Sequence, residues 1–215
     1  MADARILIVD DHPLFREALR LALGSAKLSL EISEADSLNT LTTKLAEDDA
    51  CDLVLLDLRM PGVQGLSGLI YLRSLYPGIP VVIVSASEET GVVQKALDLG
   101  ASGFIPKSAA SAIIVEAVKT ILDGGVWVPP WADRDVPADP EISAIARRVA
   151  SLTAQQIRVL MMLKEGLLNK QIAHALDVSE ATVKAHVSAI LLKLGVASRT
   201  QAVIAASRLA SVSDV

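Results

Sequence analysis

Asp10-Asp11, Asp57, Ser85 and Lys107 are the side chains in this 215-residue sequence best suited to phosphate chemistry. A carboxylate can attack phosphorus to give an acyl phosphate, and an ammonium neutralises charge on the group being transferred. Asp57 is the expected nucleophile and Lys107 the expected ammonium. Asp10 and Asp11 crowded against Asp57 would repel one another, and a hard cation with oxygen ligands, Mg²⁺, is the usual way to hold such a cluster. Each residue alone has a plainer use, since an aspartate at a strand end is most often a helix cap. Their common placement is what suggests a site.

That placement comes from the elements before them. The apolar runs 6–9, 53–56, 81–84 and 104–106 each lead into one of these residues, and the first three are continuous enough for strands buried on both faces. Helical periodicity over 13–23, 92–99 and 112–122 alternates with the runs and predicts a right-handed parallel sheet. In such a sheet ligands sit beyond the carboxyl ends of the strands, so residues distant in sequence meet at one edge.

The net charge of −5 is unevenly divided. Residues 1–126 carry 10 Lys/Arg and 17 Asp/Glu, residues 127–150 carry 3 and 4, and residues 151–215 carry 7 and 4. An acidic first part and a basic last part predict two domains with different partners, the second one suited to phosphate backbones. Pro129, Pro130, Pro137 and Pro140 make 127–150 the expected linker, with a short helix opening at Pro140. Cys51 is the only cysteine and is assigned a packing role. No apolar run reaches the roughly 20 residues needed to span a bilayer, and Met1-Ala2-Asp3-Ala4-Arg5 lacks the order of a signal peptide, so a cytoplasmic protein without a membrane partner is expected.

Val9-Asp10-Asp11-His12-Pro13-Leu14-Phe15-Arg16, Leu56-Asp57-Leu58-Arg59-Met60-Pro61-Gly62 and Gly103-Phe104-Ile105-Pro106-Lys107 together resemble the receiver domain of two-component response regulators, in their NarL/FixJ branch. The resemblance implies a flavodoxin-like, doubly wound, five-stranded parallel sheet over 1–126. It also implies phosphorylation of Asp57 by a sensor histidine kinase. Asp11, Asp57 and the Arg59 backbone carbonyl would bind Mg²⁺, with Asp10 assisting through water. Ser85 would bond the phosphoryl oxygen and let Phe104 turn inward, exposing a face for dimerisation.

Residues 151–215 read as a smaller, all-α helix-turn-helix domain. Thr153-Ala154-Gln155-Gln156 is a capping box, Gly166 ends the helix it opens, Asn169 is the expected cap of a second helix, and Ser179 that of a third. On the third helix Val183, Val187, Ile190, Leu191 and Leu194 share an arc of about 100° that must face the core. Ala181, Ala185, Ser188, Ala189 and Leu192 face outward, with Lys184 at one margin and Thr182 and Lys193 at the other.

The stretch 167–203 resembles the LuxR-type output domain through Asn169-Lys170-Gln171-Ile172-Ala173, residues 179–186, Lys193-Leu194-Gly195-Val196 and Ser198-Arg199-Thr200-Gln201-Ala202. It implies DNA contacts from Lys170, Ser179, Thr182, Lys184, Ala185, Ser188, Lys193 and Arg199. Gln156 replaces the usual glutamate, keeping the capping-box bond but giving up a charge favourable at a helix start. Ser188 replaces a frequent basic residue, which removes a long polar reader and predicts modest specificity per monomer and reliance on paired half-sites and DNA shape.

The expected protein is a phosphorylation-switched transcription factor, a homodimer on DNA with RNA polymerase as a candidate partner, and not an enzyme beyond its own phosphoryl transfer and autodephosphorylation. The alternative is an atypical receiver whose DNA binding is controlled by a partner or is independent of phosphorylation. A haloacid-dehalogenase-type phosphotransferase would need an aspartate where Arg59 stands, and a ligand-sensing LuxR-type regulator has no need of Asp11, Asp57 and Lys107 together.

Overall fold

A computed structural model describes residues 4–26, 28–47, 50–60, 63–132 and 140–210. The first part runs β1 (Ala4–Val9), α1 (Pro13–Gly24), β2 (Leu30–Ala35), α2 (Leu38–Glu47), β3 (Leu53–Asp57), β4 (Arg59–Met60), β5 (Val63–Gln64), α3 (Ser67–Leu75), β6 (Val81–Ser85), α4 (Thr90–Asp98), β7 (Gly103–Pro106) and α5 (Ser111–Leu122). Five strands form one parallel sheet in the order β2-β1-β3-β6-β7, and β4 and β5 make a short antiparallel ribbon beside it.

Period-two alternation divides the strand residues between two cores. Leu7, Val9, Val54, Leu56, Ile83 and Phe104 face α2, α3 and α4. Ile6, Ile8, Leu53, Leu55, Val82 and Ile105 face α1 and α5. The chain leaves β1 toward β2 and returns to the other side of β1 as β3, so the sheet reverses its winding between β1 and β3. A doubly wound sheet opens its crevice at such a reversal. Asp10 and Asp57 stand at the ends of these two strands.

The segment expected to be a linker is not one at either end. Phe104 N–H donates to the Trp127 carbonyl at 3.0 Å, Trp127 N–H donates to the Ser102 carbonyl at 3.3 Å, and Trp127, Val128 and Ala132 are buried with the receiver. Trp127 pairs with Gly103 of β7, and Pro129 and Pro130 then turn the chain away, with Ala132 N–H donating to the Pro129 carbonyl at 2.9 Å. At the other end, Pro140 opens α6 (Pro140–Ala150), and Val149 is buried among output-domain residues.

Four more helices follow, α7 (Ala154–Lys164), α8 (Asn169–Leu176), α9 (Glu180–Leu194) and α10 (Arg199–Ala210). Ile157, Leu160, Leu163, Ile172, Val183 and Ile190 centre their core, and Ile70 of α3 is buried with them, so the two domains share one apolar seam. No single described helix is long and apolar enough to cross a bilayer.

Gly103 fixes how closely Trp127 approaches β7. A Cβ there would lie 2.7 Å from the Trp127 carbonyl oxygen and 2.9 Å from Ile121 Cδ1. Gly103→Ala is expected to cost about 1–3 kcal/mol through overpacking. A urea melt of the variant checks this, and an unchanged midpoint would show that the Trp127 strand yields.

Candidate phosphoacceptor pocket and nucleic-acid interface

The parallel register brings the expected pocket residues to one edge. Asp57 ends β3, Ser85 ends β6 beside Pro106, and Lys107 follows β7, its N–H donating to the Ser85 carbonyl at 2.7 Å. From there the Lys107 ammonium reaches both Asp10 Oδ2 at 2.6 Å and Asp57 Oδ2 at 3.1 Å. Asp10 and Asp57 are almost wholly buried, at 1% and 2% exposure, so water screens neither.

Two buried carboxylates thus share one cation. Burial above all, and next the charge of Asp10, push the Asp57 carboxyl above the ordinary carboxylate range. Lys107 and the Arg59 N–H act in the opposite direction. Apart from the Lys107 ammonium and the His12 ring, Asp10 Oδ2, Asp57 Oδ2 and Asp11 Oδ1 have no hydrogen-bond partner among the described residues. One ligand atom from each of Asp10, Asp11, His12 and Asp57 lies within 4.8 Å of the others. An oxygen-rich, under-neutralised set of this kind fits a hard divalent cation such as Mg²⁺.

Three pocket residues were not singled out for a role from the sequence. His12 donates its N–H to Asp10 Oδ1 at 2.8 Å, and its Nδ1 lies 2.8 Å from Asp11 Oδ1. Phe15 holds the Lys107 ammonium 4.6 Å from its ring centroid, a cation–π contact. Arg16 donates to the Asp10 carbonyl at 2.6 Å and to Glu34 Oε2 at 2.9 Å. The signal was present in Pro13 at the first helical position, which fixes where α1 begins and so turns residues 15 and 16 toward the strand edge.

Ser85 is buried, and its Oγ accepts the Ser87 N–H at 3.1 Å. Phe104 is fully enclosed in the core between the sheet and α4, so the ring expected to turn inward is already inside.

In the output domain, the Thr153/Gln156 capping box forms in both directions and Ser179 Oγ accepts the Thr182 N–H at 3.1 Å. Asn169 is not the cap of α8. Leu168 holds that position, its N–H bonds Gln171 Oε1 at 2.7 Å, and Asn169 Oδ1 accepts from Arg199 instead. Asp177, at φ 52°, makes the turn before α9.

Val183, Ile190 and Leu194 of α9 are buried as expected, and the opposite face is open. Lys184, Ala185 and Ser188 are exposed, and Leu192 is 84% exposed, which an ordinary helix-packing face would not leave uncovered. Lys170, Ser179 and Thr182 are exposed as well. Lys184 pairs with Glu180 at 3.3 Å, an exposed contact too weak to hold it from another anion.

Two of the expected DNA contacts are otherwise engaged. Lys193 Nζ donates to the Ser151 carbonyl at 2.7 Å and to Gln156 Oε1 at 2.9 Å, tying α9 to the start of α7. Arg199 donates to the Leu167 carbonyl and to Asn169, joining α10 to α8. Two backbone carbonyls and two side-chain amides that need donors have taken these cations.

Residues 6–119 match the response regulator receiver domain, and residues 150–206 match the bacterial regulatory proteins of the luxR family. The chain is a response regulator. Across 208 residues, 94% of each chain, this response regulator is 44% identical to the glycerol metabolism activator of Pseudomonas putida. Its receiver resembles that of the putative response regulator NarL from Mycobacterium tuberculosis, at 35% identity and a TM-score of 0.52 over 58% of this chain and 99% of that one. The response regulator RcsB of Salmonella typhimurium shares the fold over 97% of this chain and 100% of its own, with a TM-score of 0.57 at 21% identity. The response regulator therefore joins a receiver to a LuxR-type DNA-binding domain, in a family of transcriptional regulators.

An acid whose pKa is raised on folding weakens the fold as pH rises from the ordinary carboxylate range through the raised value. Asp57→Asn removes that penalty. In chelator-containing buffer at pH 7 its urea midpoint is expected above that of the wild type, and Mg²⁺ is expected to narrow the gap by stabilising the wild type alone. A lower midpoint for the variant would show that Lys107 already compensates Asp57.

Proposed function

We propose that Asp57 is the phosphoacceptor and that its phosphorylation by a sensor histidine kinase changes dimerisation and DNA binding by the output domain. The observation that supports this best is the Lys107 ammonium shared between Asp10 and Asp57, because it leaves a buried carboxylate beside a cation able to move onto an incoming phosphoryl group.

In the forward step an Asp57 carboxylate oxygen forms a bond to phosphorus, the bond from phosphorus to the donor's imidazole nitrogen breaks, and that imidazole leaves with the electron pair. Lys107 then neutralises a phosphoryl oxygen, and Ser85 exchanges its bond with the Ser87 N–H for one to another phosphoryl oxygen. Asp11, Asp57 and the Arg59 carbonyl would hold Mg²⁺, with Asp10 behind them. When bound, the metal offsets charge on both the carboxylates and the phosphoryl group.

On DNA the outward face of α9 enters the major groove, with Ala185 and Ser188 close to base edges and Lys184 and Lys170 toward phosphates. A solved RcsB chain of this fold is bound to DNA. A homodimer on paired half-sites suits the small readers of α9, and RNA polymerase is the further partner that regulation of transcription would engage.

Incubation with Mg²⁺ and a small phosphoryl donor is expected to add one phosphoryl mass to the wild type and none to Asp57→Ala, with a parallel change in gel shift on a duplex selected from a random pool. Mass gain without any change in dimerisation or DNA affinity would favour an atypical receiver, and no gain would remove the switch. Lys184→Ala is expected to lower the salt slope of DNA binding by about one, as loss of a phosphate contact does. Lys193→Ala is expected to keep the slope and lower the melting temperature, and the opposite pattern would return Lys193 to the interface.

A further inference from the structure

Helix α6 meets both domains through neighbouring residues. Arg147, Val149 and Ala150 border a cleft whose other wall is Ile70 and Ser74 of α3 with Leu99 at the end of α4. Between them in sequence, Arg148 turns to the output domain and donates from Nη1 to the Leu194 carbonyl at 3.1 Å, the last residue of α9. Gly195 follows at φ 66°, and a Cβ there would lie 3.3 Å from Arg148 Nη1, so the turn and the guanidinium are fitted closely. One turn beyond Arg148, the Ser151 carbonyl accepts Lys193 Nζ. A cation on the terminal carbonyls satisfies groups that a helix leaves unpaired and complements its dipole.

The receiver packs through α3 and α4 against α6, α7 and α10 and leaves the outward face of α9 exposed. Within one chain, then, the receiver bears on DNA reading through the placement of α9 and not by covering it, alongside the change in dimerisation. A physical route exists. The Ser85–Ser87 turn leads into α4, Leu99 at the far end of α4 packs on the output core, and α6 lies between that contact and Leu194.

We infer that Arg148 is a positioning residue for the recognition helix, fixing α9 to α6 so that its orientation follows the state of the receiver. The inference rests on Asp57 as phosphoacceptor and α9 as the reading helix. Arg148 itself bonds a backbone carbonyl, so its effect is distinguishable from that of a phosphate contact.

The experiment uses full-length wild type, Arg148→Ala and Arg148→Lys, with and without Mg²⁺ and acetyl phosphate. Binding is measured to a duplex selected by the wild type from a random pool and to a scrambled duplex. Arg148→Ala is expected to lose about tenfold on the selected duplex, what a hydrogen bond from a charged donor is worth, with little change on the scrambled one. Its response to acetyl phosphate is expected to shrink toward none, while the phosphoryl mass gain at Asp57 and the salt slope match the wild type. Arg148→Lys, which keeps one donor, is expected to be intermediate.

Equal losses on both duplexes would make Arg148 a merely structural residue and overturn the inference. A fall of about one in the salt slope would make it a phosphate contact and overturn it as well. If Arg148→Ala does not fold, Leu99→Ala tests the receiver side of α6. It is expected to keep discrimination between the duplexes and lose the phosphorylation response, and an intact response overturns the coupling. Failure of the wild type to gain phosphoryl mass or to select any duplex would instead strike the parent reading, and the inference with it.

Discussion

Lys107 is one ammonium facing two buried carboxylates, and the sheet edge is organised around that imbalance. Breaking a buried pair by removing its cation leaves uncompensated charge in a low dielectric, so the strands that end at Asp10 and Asp57 depend on β7 to deliver Lys107. The backbone bond from Lys107 to Ser85 locks that delivery to the end of β6. Phe15 adds a ring face to the same ammonium. The pocket is stable enough to form and short enough of positive charge to suit a further, divalent cation.

The same economy of cations appears in the output domain. Arg148, Lys193 and Arg199 each close the unpaired end of a helix or loop, and the exposed face of α9 is left with small side chains, Leu192 and Lys184. Lys193 and Arg199, expected at DNA, instead fix helices relative to one another. What the outward face of α9 lacks in long polar side chains is accompanied by a defined position.

Continuous apolar runs were legible as strands because β1, β3 and β6 are buried on both sides, and their chemistry-bearing ends followed from the topology. Strand β2 was missed. Its Leu-Glu-Ile-Ser-Glu-Ala alternates because it lies at the sheet edge, half in water, and carries no continuous run. The composition of Trp127-Val128-Pro129-Pro130 marked a break in regular structure correctly but gave no sign that the break packs on the sheet, since that depends on Gly103 across a gap in sequence. Arg199 and Lys193 were legible as basic residues and not as bonded ones, because their acceptors, the Leu167 and Ser151 carbonyls, are backbone atoms 32 and 42 residues away. Residue type predicts a cation, and only tertiary geometry says which acceptor has claimed it.

The extended stretch at Trp127 also bears on the fate of the chain in a crowded cell. An uncovered outer strand offers unpaired amides and carbonyls to any other extended chain, a route to aggregation. Trp127 lies along β7 and occupies part of that row with the backbone of the same molecule. The opposite border, β2, is different: it carries charged side chains, Glu31 paired with Arg5 and Glu34 with Arg16. The residues that carry the chain from one domain to the next thus also keep one flank of the receiver from associating with its neighbours.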